Sequence, residues 1–303
     1  AGPAAQTGEP AARLRGLRSR LAALIASATR AARAATKTAA ARDILPAAEP
    51  PATEARGHIA LVGAGPGARD LLTLRAAQRL READVIFYDR LVDPALLHLA
   101  RTGARRVYVG KEVGRNAWPQ AHIDRLIVAE ARKGRRVVRL KSGDPSVFGR
   151  AAEEIAAARA AGIEPEIVPG ITAASAAAAA IRVPLTERGE TDCFAVTTGL
   201  CRPGDPAPDR SLLARPGTAL AIYMGIGKAA EIEAAMLAAG APAECPVDIV
   251  SCVSTGRERH ASATLASLSE TLRREALPGP AILFLRHPKS LSGRRAGGAS
   301  RAA

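Results

Sequence analysis

Aromatic side chains are scarce in this 303-residue chain: 3% of the residues, with a single Trp. Proteins that hold single strands of nucleic acid stack bases on such rings, so their scarcity argues against that function. Cysteine is equally sparse. Cys193, Cys201, Cys245 and Cys252 form no C-x-x-C pair, and their separations suit neither a zinc cluster nor a disulfide framework. Reduced, buried or half-buried thiols in a reducing compartment are expected instead. No apolar run approaches the roughly 20 residues that a membrane helix needs. The longest, Ile171 to Ile181, is mostly Ala. Acidic residues are in deficit, 29 against 43 Lys and Arg, which gives a formal charge of +14. These cations make no dense run, and no zinc-finger spacing accompanies them. A basic balance invites a polyanion, and a polycarboxylate or phosphate-bearing small molecule remains open as its partner.

What is present begins with a change of composition. Residues 1–56 are rich in Ala, Arg, Ser, Thr and Pro and poor in acids. Leu14, Leu17, Leu21, Leu24, Ile25 and Ala28 fall at helical spacing there. A disordered or loosely helical extension is expected, a transit-like targeting segment being the sharper alternative. Pro46, Pro50 and Pro51 mark a linker. From Gly57 onward strands and helices alternate. Strands are expected at HIALVGAG, 84–89, 104–110, 135–140 and 164–170, and helices at 73–83, 94–101, 119–133, 153–161 and from Thr172 to about Ile181. The alternation predicts an α/β domain over 57–183 with a mostly parallel sheet. Strands at 193–199, 218–225, 246–254 and 281–286, with a helix at 228–239, predict a second α/β domain over 184–287. Residues 288–303 are expected to be a flexible tail.

The strand ends carry the candidate chemistry. In LVGAGPGARD, Gly63, Gly65 and Ala68 fit G-x-G-x-x-A, and Asp89 follows at the distance expected of a dinucleotide fingerprint. In that fingerprint the helix opens on the glycines and offers its amides to a pyrophosphate. Here Pro66, which lacks an amide donor, and Gly67 intervene, and the helical pattern starts only near Thr73, a plausible N-cap. Asp89 stands where α/β sheets place ligands; it either serves a ligand or pairs with Arg90. Lys111 follows another strand end, within a loop flanked by Gly110 and Gly114 that has the makings of a closing flap. Ser142, Gly143 and Asp144 follow the fourth strand. Gly143 permits close approach to the backbone, Asp144 can accept hydrogen bonds from a ribose or amine, and Phe148 is a candidate core residue. Thr172 is a candidate N-cap. Met224, more often a core residue at such a position, would also suit an adenine or sulfonium.

Taken in order, VGAGPG, DLLTLRA, YDRLV, VGK, RLKSGDP-x-VFGR, VPGITAA, PLTERG, TTG and YMG resemble the uroporphyrinogen-III C-methyltransferases, members of the tetrapyrrole methylases, over roughly residues 57–287. The resemblance implies two α/β domains with S-adenosylmethionine in the cleft between them. It also implies a cytoplasmic homodimer with no metal, no nucleic-acid partner and no membrane. The implied activity is methylation of two pyrrole carbons of uroporphyrinogen III to give precorrin-2, for siroheme or cobalamin. The alternative is a methyltransferase of a later corrin intermediate. By position, Pro66, Ser142, Gly143, Asp144, Val147, Thr172, Ala173 and Met224 would contact the cofactor. Asp89 matches the family's proton acceptor and Lys111 its proton donor. Arg90, Arg150 and Arg188, at the expected rim, are our candidates for the substrate's carboxylates. Ser142, Leu200 and Val253 stand where the family commonly has Gly, His and Gly. Residues 1–56 are too few for the dehydrogenase–chelatase module of siroheme synthases, so a stand-alone methyltransferase is expected.

Overall fold

A computed structural model describes residues 57–110, 118–201 and 204–291, apart from the side chains of residues 212 and 213. The predicted extension over 1–56, Lys111 and the tail beyond residue 291 lie outside the described residues.

The first sheet is entirely parallel. It contains β1 (His58–Gly63), β2 (Val85–Tyr88), β3 (Arg105–Tyr108), β4 (Arg136–Lys141) and β5 (Glu166–Val168), in the order β3-β2-β4-β1-β5. Side chains alternate between its faces, as the twofold period of a strand dictates. Ala60, Val62, Ile86, Val138 and Leu140 pack with α1 (Leu74–Glu82) and the segment Pro94–Leu99. Ile59, Leu61, Val85, Phe87 and Val137 pack with α2 (Gln120–Ala131) and α3 (Ala151–Ala160). Thr73 caps α1 as expected, its hydroxyl accepting the Ala76 amide at 3.2 Å. The helix expected at 94–101 is instead a 3-10 segment. Asp93 accepts the Ala95 amide at 2.8 Å in a tight turn, and the far end closes with a three-residue bond from the Ala100 amide to the Leu97 carbonyl.

The second sheet is mixed. Its strands are β6 (Cys193–Thr198), β7 (Thr218–Tyr223), β8 (Pro246–Ser251), β9 (Arg259–Thr264) and β10 (Ala281–His287), in the order β6-β7-β10-β8-β9. Only β6 and β7 run parallel. α5 (Ala229–Ala238) and α6 (Leu268–Glu275) cover one face. The other face is covered by α4 (Ala173–Ala180), which follows β5 in the chain yet packs on Ala219, Ala221, Val250 and Phe284. Small side chains on both surfaces let the helix lie close, and they bring its N-terminus to the edge where the first sheet ends.

β9 and α6 escape a reading of the sequence. RHASAT is a polar edge strand with alternate residues exposed, so its composition reads as a loop. α6 has eight residues and buries only Leu268, Thr271 and Leu272. All four cysteines are free; Cys193 is exposed at the start of an edge strand, contrary to the expectation of burial. Among the described residues no group of His, Cys, Asp and Glu could hold a metal ion. No described helix is long and apolar enough to cross a membrane.

Candidate active site

Because the strands of the first sheet are parallel, their C-terminal ends share one edge, where open α/β sheets bind ligands. The exits of β1, β4 and β5 meet there backbone to backbone. The Ala64 amide reaches the Lys141 carbonyl at 2.7 Å, and Gly65 and Gly143 exchange both amide bonds at 3.2 and 2.7 Å. A Cβ on Gly63 would sit 2.6 Å from Gly170 Cα, and one on Gly170 would sit 2.2 Å from the Gly143 carbonyl oxygen. Only glycine allows this convergence. Gly143 is itself left-handed, at φ +68°, and a Cβ there would meet only the Thr172 and Ala173 backbone at 3.9 Å. The floor of the site is therefore bare backbone facing the start of α4.

Asp144 ties this floor together. One carboxylate oxygen accepts the Gly170 amide at 3.0 Å and the other accepts the Ser146 amide at 2.8 Å and the Ser146 hydroxyl. Burial opposes the charge, but these donors hold the carboxyl below the usual carboxylate range. Asp144→Asn is expected to destabilise the fold by about 1–3 kcal/mol at neutral pH, since one acceptor becomes an amide facing amides. The folded value is depressed. The stabilisation is therefore full above the unfolded carboxylate's range and is lost as pH falls through the folded value. Thermal melts of both proteins from pH 7 down into the acid range check this: the gap should close in acid, and a gap that stays constant would refute it.

Asp89, at the end of β2, does not pair with Arg90. Both its oxygens accept from Arg139 Nη2, at 2.8 and 2.7 Å, while the carboxylate stays one-third exposed. Arg139 in turn donates through Nε to Glu154 at 2.8 Å, and Glu154 accepts from Lys141 Nζ at 2.7 Å. Arg139, Lys141 and Glu154 are each 3% exposed. Burial disfavours the charges of Arg139 and Lys141. Glu154 and Asp89 nonetheless raise the Arg139 pKa, whereas burial and then the Arg139 charge lower that of Lys141. Two cations and two carboxylates thus form a chain running from the core to the rim.

The second sheet supplies the opposite wall. Tyr223, the last residue of β7, places its hydroxyl 2.5 Å from that of Thr172 and accepts the Ala174 amide at 2.9 Å. Burial raises its pKa. Thr172 occupies the N-cap position, but its side chain does not cap the helix; it is turned to Tyr223 instead. Phe148 packs at 5.2 Å from the Tyr223 ring, yet it is 45% exposed, so it is not a core residue; Met224 likewise is 49% exposed. Phe148, Arg150 and Met224 all adopt left-handed backbone angles, at φ +51°, +57° and +54°. Such strain in non-glycine residues gathers where function over-determines the backbone.

The structure thus brings together the exits that carry Pro66, Ser142, Gly143, Asp144 and Val147, the start of α4 with Thr172 and Ala173, and the β7 exit with Met224. Asp89 and the exposed Arg90 lie at the end of β2, which pairs directly with β4. Arg150 is exposed and held by Glu153 at 2.8 and 2.6 Å. Arg188 is exposed within the turn closed by Glu187 and Thr191, and no described contact links it to the other candidates. Sequence reasoning missed Arg139, Lys141, Glu154 and Tyr223. The signal for the first two was available: two cations at alternate positions of a central strand share one face and need buried counter-charge.

Residues 58–269 match the family model of the tetrapyrrole (corrin/porphyrin) methylases. The chain is 46% identical over 231 residues to a siroheme synthase of Pectobacterium atrosepticum, covering 76% of this chain and 48% of the relative. A siroheme synthase of Chromobacterium violaceum is 44% identical over 229 residues, with 76% and 49% covered. The chain therefore spans about half the length of these curated relatives. Among solved structures, the uroporphyrin-III C-methyltransferase of Thermus thermophilus complexed with S-adenosylhomocysteine is 40% identical, with a TM-score of 0.65 and coverage of 76% of this chain and 97% of that one. A cobalt precorrin-4 methyltransferase is 25% identical, with a TM-score of 0.67 and 76% and 94% covered.

Proposed function

The chain belongs to the tetrapyrrole methylase family, and from that premise we propose that it methylates two pyrrole carbons of uroporphyrinogen III, giving precorrin-2, with S-adenosylmethionine as methyl donor. The observation that carries the proposal is the backbone floor built by the β1, β4 and β5 exits, in a chain 40% identical to a methyltransferase seen with S-adenosylhomocysteine. That floor fits a nucleoside-bearing cofactor: it offers polar backbone, with exposed Met224 and Phe148 beside it for apolar contact. Ser142, Gly143, Asp144, Val147, Thr172 and Ala173 would hold the cofactor from the first sheet's side, Pro66 from the β1 exit and Met224 from the second sheet. When bound, it supplies an electrophilic methyl group on a sulfonium.

The chain's own residues then have two tasks. The first is to orient the pyrrole carbon in line with that methyl group. Arg90, Arg150 and Arg188 would contribute by taking substrate carboxylates, Arg150 exchanging its partner Glu153 for one of them. The second is to receive the proton that the methylated ring loses. Asp89 has the right chemistry for this, a carboxylate oriented by Arg139, and Lys111 would return a proton. A homodimer in the cytoplasm completes the proposal.

A second reading, methylation of a later corrin intermediate, draws on the comparable fold match to the cobalt precorrin-4 enzyme. Anaerobic incubation with S-adenosylmethionine and uroporphyrinogen III, followed by mass spectrometry of the tetrapyrrole, separates the two. Gain of two methyl groups is expected. No gain, with the cofactor still bound, would move the substrate to a later corrinoid.

A further inference from the structure

The β1 exit is held from two sides. Its inner half is fixed within the first sheet, by Ala64 to Lys141 and by the paired bonds of Gly65 and Gly143. Its outer half, Pro66 to Ala68, leaves that sheet. Pro66 has no amide to offer. The Ala68 amide crosses to the connection between β8 and β9 of the second sheet, where it donates to the Ser254 hydroxyl at 2.9 Å, 186 residues away in sequence. Gly67 lies against the same segment: a Cβ there would be 2.8 Å from Thr255 Cγ2 and 3.0 Å from the Ser254 carbonyl oxygen.

Ser254 is elaborately supported. Its φ is +64°, a left-handed conformation unfavourable for a residue with a Cβ. Its amide donates to one Glu258 carboxylate oxygen, and the other oxygen pairs with His260 Nε2 at 2.8 Å. The Thr255 hydroxyl and amide both donate to the Cys252 carbonyl, at 2.7 and 3.2 Å, and the Cys252 amide is bound to the Pro280 carbonyl at 2.7 Å. The surroundings hold in place a backbone angle that serine would not choose, and the result is a hydroxyl aimed at the first sheet's loop.

We infer that Ser254 is a positioning residue for the methyl donor: by accepting the Ala68 amide it sets the Pro66 loop against the site from the opposite sheet, with Glu258 holding Ser254 in turn. The inference rests on the cofactor reading proposed above. It assigns no contact between Ser254 and the cofactor; the hydroxyl acts through the loop.

The test uses two variants that differ in strain. Ser254→Ala removes the hydroxyl and keeps the unfavourable φ. Ser254→Gly removes the hydroxyl and relieves the φ, so it should fold better than Ser254→Ala. Calorimetric titration with S-adenosylhomocysteine is run on all three proteins, alongside KM for S-adenosylmethionine and kcat. Loss of one hydrogen bond that orders the loop should weaken binding and raise KM about tenfold in both variants, with kcat nearly unchanged. A purely structural role predicts instead that Ser254→Gly binds like the wild type, and that outcome would overturn the inference. Failure of the wild type to bind S-adenosylhomocysteine would overturn the cofactor reading itself, and the inference with it.

Discussion

Asp89→Ala is expected to lower kcat by about 10²–10⁴-fold, the usual contribution of a positioned proton acceptor, while S-adenosylhomocysteine binds as before. The carboxylate stands at the end of β2, one-third exposed, with both oxygens on Arg139 Nη2 at 2.8 and 2.7 Å. That clamp fixes where an abstracted proton would go. It also complicates the alanine variant, because Arg139 then keeps a single carboxylate partner, Glu154, which it shares with Lys141, beside the Leu140 carbonyl. Asp89→Asn answers this. An amide oxygen still accepts from Arg139, the fold is retained, and the basic group is gone. Both variants should lose turnover alike in single-turnover assays with saturating cofactor. Wild-type turnover in the asparagine variant would remove Asp89 from the chemistry. An equal loss of turnover and of cofactor affinity in both would make it a residue that shapes the site.

The parts of this site legible in the sequence are those fixed by the backbone. Glycines at 63, 65 and 143 and a Pro at 66 punctuate strand ends, and the parallel sheet that the alternation implies must bring those ends to one edge. The helical pattern beginning at Thr73 likewise separates this loop from a dinucleotide fingerprint, and α1 does start at Leu74, after a 3-10 turn at Arg69–Leu71. Side-chain partnerships were not legible. Asp89 is drawn to Arg139, 50 positions away, and Thr172 to Tyr223, 51 positions away. No local spacing encodes such pairs; they follow from strand order, β2 beside β4 and α4 laid on β7 and β10. The sequence offers Phe148 as a core residue and Met224 as either a core residue or a cofactor contact, and both are exposed. Their exposure is a property of the gap between two sheets, which a linear pattern does not contain. β9 was missed for a related reason: an edge strand exposed on alternate residues needs no apolar alternation to form, only the neighbouring β8 to pair with.

The buried charge chain behind Asp89 carries the largest expected effect on stability. Glu154 accepts from Arg139 Nε at 2.8 Å, from Lys141 Nζ at 2.7 Å and from Gln120 Nε2 at 3.3 Å. Glu154→Gln is nearly isosteric, yet it leaves two buried cations with Asp89 alone. Breaking a buried pair in this way costs about 3–5 kcal/mol, because the surviving charge is uncompensated, and in a body of this size that lowers Tm by roughly 10 °C. The pH dependence distinguishes this cause from simple loss of packing. Burial and Arg139 already lower the Lys141 pKa, and Glu154 is the nearest group that supports it. Without Glu154 the folded value falls further. Between that value and the ordinary amine value the unfolded chain binds more protons than the folded one, so the variant's stability should rise with pH across that window. A second substitution, Lys141→Met in the Glu154→Gln background, removes the stranded cation and should recover part of the loss, which a double-mutant cycle by denaturant unfolding measures. A Glu154→Gln protein within about 0.5 kcal/mol of wild type would show that the chain is solvated rather than buried. The same variant also removes the carboxylate that anchors Arg139 Nε, so the guanidinium that orients Asp89 is less firmly fixed and turnover should fall more than cofactor affinity, connecting a residue on α3 to the carboxylate at the end of β2.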